Sequence, residues 1–137
     1  MQTREVQVTK SEARGIFDLT DECARFVGEV DAGEGGLLNV FAPHATAAVL
    51  IMELGSGSER DVLRTLDRLL PRGDRWQHQH GSVGHGADHV LPLLAGPSLT
   101  IPVVGGRLAL GTWQSIALLD PNADNPERRV RLSFIAG

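Results

Sequence analysis

Residues 98–119, SLTIPVVGGRLALGTWQSIALL, set two apolar runs on either side of Gly105-Gly106. Paired glycines accept the positive φ that a tight hairpin turn needs. The stretch therefore reads as a β-hairpin with arms 98–104 and 107–119, which commits part of the chain to antiparallel pairing.

The remaining segments are short and punctuated by turns. Residues 3–9, TREVQVT, alternate around Val6 and Val8 as a half-buried strand does. LTDECARFVGEV, residues 19–30, puts Cys23, Phe26, Val27 and Val30 on one helical face, with Thr20 or Asp21 as N-cap, and DAGEGG ends it. LLNVFAPH and TAAVLIMEL suit buried strands. Ser56 and Glu59 form a capping-box pattern ahead of a helix carrying Val62, Leu63, Leu66, Leu69 and Leu70, closed by Pro71. DHVLPLLAG predicts a short helix capped by Asp88 and ended at Gly96, with Pro92 in its first turn. DPNADNPE reads as a loop and RRVRLSFIAG as a final strand. Strands outnumber helices. The expected class is α+β, with a mostly antiparallel sheet or two packed sheets and two main helices, in one domain over residues 1–137.

Composition narrows the functions. The formal net charge is −4, tyrosine is absent, and no run of Arg and Lys interleaves with aromatics, so a dedicated nucleic-acid surface is not expected. No apolar run reaches the ~20 residues of a membrane span. The first ten residues lack the apolar core of a secretion signal, and Cys23 has no intrachain partner. A cytoplasmic protein without membrane attachment is the expectation.

The chemistry concentrates in residues 76–89, WQHQHGSVGHGADH, which hold four of the five histidines. His78 and His80, two apart, face one side if extended. His85 and His89, four apart, share a face only if a helix begins before Asp88. Imidazole nitrogen suits zinc, although the spacing matches no standard metal motif, and a solvated loop of idle histidines satisfies the same pattern. His44 stands at a break between two apolar runs, followed by Thr46, a setting that can project a ring into a cleft. Glu53 ends an apolar strand, where loss of hydration would make its carboxylate a usable base; facing water, it is only a strand end. Trp113 and Gln114 interrupt the second hairpin arm after Gly111, where a glycine marks a bulge or the approach of a ligand. Arg128 and Arg129 adjoin a loop and suit a phosphate.

PHATAAV, Glu53 before a capped helix, His78, His89 followed by VLPLLAGPSLTIPV, and GRLALGTWQSIAL together resemble the YjbQ-like family across nearly the whole chain. Members of that family are described as secondary thiamine-phosphate synthases. The resemblance implies a homotrimeric two-sheet α+β sandwich acting on small phosphorylated molecules. Its site histidines correspond to His44, His78 and His89, expected to bind one divalent metal or to surround a phosphorylated substrate, and to serve as catalytic residues with Glu53 nearby as a base. Thr46, Trp113, Gln114 and Arg128 are the expected substrate-binding residues. His80 and His85 match no family histidine. The chain departs from the family where Asn and then Asp-Pro follow the glutamate; here Leu54, Gly55, Ser56 and Gly57 stand. The acidic residues of the family's central loop are replaced by residues 81–85, GSVGH. Fewer carboxylates favour zinc over magnesium as the divalent ion. A non-catalytic metal- or anion-binding trimer, or a structural trimer with a decayed site, are the competing expectations.

Overall fold

The computed structural model describes residues 1–73 and 76–137. In chain order its elements are β1 (Gln2–Thr9), β2 (Gly15–Asp18), α1 (Thr20–Glu29), β3 (Gly35–Phe41), β4 (Ala48–Met52), α2 (Ser58–Leu69), α3 (His85–Asp88), β5 (Ser98–Val104), β6 (Arg107–Leu108), β7 (Ser115–Asp120) and β8 (Glu127–Ala136). A single 3₁₀ turn, Leu91–Leu93, follows α3.

Strict alternation in β8 buries Arg128, Val130, Leu132 and Phe134 and leaves Arg129 and Arg131 outside. β8 pairs antiparallel with β1 on one side and β3 on the other, in a five-stranded sheet ordered β1-β8-β3-β5-β6. A second, three-stranded antiparallel sheet runs β2-β7-β4. β7 is its middle strand and lacks alternation because both its faces are covered. Ile116 and Leu118 join a core with the large sheet and with Cys23, Phe26 and Val27 of α1. Leu119 turns the other way, into a smaller core with Leu66 from α2, Leu70 just after it, Ala87 from α3, and Leu91. Among the described residues the fold is thus a mixed α+β arrangement of two antiparallel sheets, with three helices packed against them.

Three local expectations change. The hairpin forms at Gly105-Gly106, but its second arm lasts only two residues, pairing Val104 with Arg107 and Val103 with Leu108. Gln114 then folds back, its Oε1 accepting the Gly111 N–H at 2.8 Å, and the chain crosses into the other sheet as β7. The Ser56 capping box does not form. Gly57 in the left-handed region precedes α2, Glu59 accepts the Gly55 N–H at 2.6 Å, and the Ser56 hydroxyl donates to Glu53 instead. α1 opens with neither predicted cap, because the Asp18 carboxylate takes the Thr20 N–H at 2.8 Å.

Among the described residues, no helix is long and apolar enough to cross a membrane. Cys23 lies inside the larger core, where burial, then Glu22, then Asp18 push its thiol up to about 12. Since the thiolate is the nucleophile, Cys23 is expected to resist a disulfide exchange reagent at pH 8 in the folded protein and to react fully in denaturant. Rapid stoichiometric labelling of folded protein would contradict this placement.

Candidate metal centre

The loop before α3 is shaped by what it must pass. Gly84, at φ 89°, turns the chain into α3, and a Cβ there would lie 2.3 Å from the Arg72 guanidinium carbon. A Cβ on Gly86 would lie 2.3 Å from the His78 carbonyl oxygen. Only glycine lets Arg72 and the His78 backbone come this close. α3 starts at His85, so Asp88 is not its cap. Asp88 is instead buried, receiving Arg72 at 2.7 and 3.2 Å and the Asn122 amide at 3.0 Å. The early start brings His85 and His89 onto one face, with their Nε2 atoms 3.1 Å apart.

All four loop histidines converge. His78 lies 4.1 Å from His80, 4.2 Å from His89 and 5.1 Å from His85 between ring centroids. His85 lies 4.6 Å from His80 and 4.8 Å from His89 on the same measure. One ligand nitrogen each from His78, His80 and His85 falls within 4.8 Å of the others. Two nitrogens of a tetrahedral zinc with bonds of 2.0–2.1 Å are separated by about 3.3 Å, so the His85–His89 spacing already suits a shared ion. Loss of hydration, then His80 and His85, lower the pKa of His78. Loss of hydration, then His78 and His85, lower that of His89. Both shifts favour the neutral imidazole that a metal binds.

Behind the rings, Asp124 Oδ2 lies 2.6 Å from His85 Nδ1. An ionised carboxylate can only accept, so Nδ1 carries the proton, and in the neutral ring that leaves the Nε2 lone pair facing His89. That bond, with the Ser82 and Asn122 donors, holds Asp124 down at about 2. The cleft over the loop encloses about 460 Å³ and is lined by His78, His80, His85, Arg72 and Trp76 among others.

The other expected site residues lie elsewhere. His44 Nε2 sits 3.0 Å from both the amide nitrogen and the carbonyl oxygen of Arg129, and burial, then Arg128, lower its pKa. Among the described residues its hydrogen bonds go to the Arg129 backbone and none reaches a loop ring, whereas His78 and His89 lie together in the loop. Arg128 is no free phosphate ligand. It is 5% exposed, pairs with Asp120 at 2.7 and 3.1 Å, and donates to Thr46 at 2.8 Å. Lys10, its side chain 1% exposed, reaches the same Asp120 at 2.9 Å. Glu53 is exposed, without the burial that would make it a base. Trp113 is 73% exposed, and Gln114 is occupied by its own turn. Sequence reading missed Arg72, Asp88, Asn122 and Asp124. The density of polar residues in DPNADNP, between two strands that must change sheets, was the available signal.

The family description UPF0047 protein YjbQ-like matches residues 4–137. The chain belongs to the YjbQ-like family. A UPF0047 protein of Mycobacterium tuberculosis strain CDC 1551 is 59% identical over 124 residues, spanning 90% of this chain and 94% of the relative. UPF0047 protein YugU of Bacillus subtilis is 31% identical over 132 residues, spanning 94% and 93%. A hypothetical protein from Aeropyrum pernix K1 superposes with a TM-score of 0.88 at 34% identity, covering 100% of both chains. A YbjQ-like protein of unknown function from Sulfolobus solfataricus P2 shares the fold, with a TM-score of 0.91 at 23% identity over 99% and 97% of the two chains.

The Asp120 cluster gives a stability prediction for this YjbQ-like fold. Arg128→Met strips Asp120 of its bidentate partner and is expected to cost about 3–5 kcal/mol, as removing one member of a buried pair does. Trp113→Ala, at an exposed position, should change stability by no more than about 0.5 kcal/mol. Urea unfolding measures both; equal effects would deny Asp120 its anchoring role.

Proposed function

We propose that this chain is a cytoplasmic YjbQ-like protein that binds one zinc-like divalent cation with its loop histidines and uses that centre on a small phosphorylated molecule. The observation that carries the reading is the gathering of imidazoles in one loop: His78, His80 and His85 place ligand nitrogens within 4.8 Å of one another, and His85 and His89 bring two Nε2 atoms 3.1 Å apart. The donor set is nitrogen-rich. Magnesium, which demands oxygen ligands, fits it poorly, whereas zinc fits it well. His78, His80, His85 and His89 would hold the ion, and Asp124 would keep His85 in the ligating tautomer. A divalent cation here would supply charge to stabilise a phosphate or diphosphate leaving group. The neutral His78 and His89 rings can otherwise accept protons, and Arg72 adds a cationic wall to the cleft.

Synthase-like transfer between an aminopyrimidine diphosphate and a thiazole phosphate is the specific reaction that the resemblance suggests for such a centre. The reading is tested on protein purified without a histidine tag. Zinc at about one equivalent per chain is expected. His85→Ala and His89→Ala should each weaken it by more than the ~10–100-fold that groups behind a metal typically contribute. His44→Ala should leave metal binding unchanged. Metal loss in His44→Ala with retention in His85→Ala would overturn the loop assignment. Product formation from the two phosphorylated precursors that survives His85→Ala would separate any synthase activity from this centre.

Homotrimer assembly is part of the same proposal. On the open face of the large sheet, Leu37 stands opposite both Ile135 and Pro102. Leu37 is 47% exposed and Ile135 51% exposed, giving an apolar row that a second copy would cover. Sedimentation should give three times the 14.7 kDa chain mass, falling toward monomer in Leu37→Asp. A monomeric wild type would remove this part of the reading.

A further inference from the structure

We infer that Asn122 is the positioning residue of the histidine centre, clamping Asp88 and Asp124 with one buried amide so that His85 and His89 face a common point. This rests on the metal reading of the loop. Asn122 is 0% exposed. Its Nδ2 donates to Asp88 Oδ2 at 3.0 Å and to Asp124 Oδ2 at 3.3 Å. Asp88 precedes His89 in the chain, and Asp124 holds His85. One amide therefore ties the helical turn carrying both ligands to the loop that fixes the His85 tautomer.

Nδ2 also lies 3.1 Å from His85 Nδ1. Both nitrogens carry protons once Nδ1 donates to Asp124, so that approach is packing, and the two amide protons are left for the carboxylates. The backbone of Asn122 anchors the clamp. Its N–H donates to Asp120 Oδ1 at 3.0 Å, and its carbonyl accepts Lys10 Nζ at 2.7 Å. A turn-forming asparagine is the simpler account, since Oδ1 accepts the Asp124 N–H at 3.0 Å. That account leaves the two Nδ2 bonds unexplained, because a side-chain turn needs only the acceptor.

Asn122→Ser separates the two accounts: serine keeps a turn acceptor but is too short to reach both carboxylates. With cobalt(II) as the probe, Asn122→Ser is expected to bind about 10–100-fold more weakly than wild type and to shift the visible cobalt bands. Because part of its action runs through His85, Asn122→Ser should cause a smaller loss in a His85→Ala background than in wild type. Without metal, the hydrogen-bonded His85 Nδ1 proton should be visible by NMR in wild type and lost in Asn122→Ser. Asp124→Ala, at a more exposed position, is the second variant and should weaken cobalt similarly. Unchanged affinity and an unchanged His85 proton in Asn122→Ser, equal losses with and without His85, or an Asp124→Ala protein that binds normally would each overturn the inference. Wild-type protein that binds no cobalt, yet loses the His85 proton in Asn122→Ser, would sink the metal reading and leave the positioning role standing.

Discussion

The buried carboxylate of Asp120 is the constraint on which the rest of the structure depends. It ends β7, the middle strand of the small sheet, and receives Lys10 from the end of β1 and Arg128 from the start of β8. Arg128 also reaches Thr46, just before β4. One group thus fixes the chain where it passes from the small sheet to the large one. A charge this deep is tolerated only with partners, and its removal leaves two cations stranded. The next residues, 121–126, are held to that anchor, and from them Asn122 and Asp124 reach the histidine loop.

The parts of the fold that were legible in sequence are those whose physics is local and periodic. Alternation in β1 and β8, the Gly105-Gly106 turn and the leucine spacing of α2 all survive in the structure. The second hairpin arm was misjudged because Leu110 and Ile116 look equally strand-like. Only Gln114, bonding back to Gly111, reveals that the chain leaves one sheet for another between them. β2 is four residues of mixed burial and was hidden by its shortness. Asp88 reads as a helix cap by residue type, but Arg72, sixteen positions earlier, claims it.

The site was half legible for the same reason. Histidine density singled out residues 76–89, and in the structure the rings of that segment gather together. Which rings meet depended on where α3 begins, and that depends on Gly84, Arg72 and Asn122, contacts that no spacing rule contains. Likeness to the family pattern favoured His78 and His89 and set His80 and His85 aside. In the structure the His85 ring stands 4.6 Å from His80 and 4.8 Å from His89, so all four loop rings lie together.

The placement of carboxylates bears on which ion such a centre selects. Residues 81–85, GSVGH, carry no acidic side chain, and the acids stand one layer back. Asp124 lies behind His85 and Asp88 beneath His89, each already paired. Carboxylates in that position do not offer oxygen to a hard cation. They orient imidazoles and raise their basicity, which strengthens nitrogen ligation. The glycines belong to the same supporting layer, since the Arg72 guanidinium and the His78 backbone carbonyl occupy the space that side chains on Gly84 and Gly86 would need.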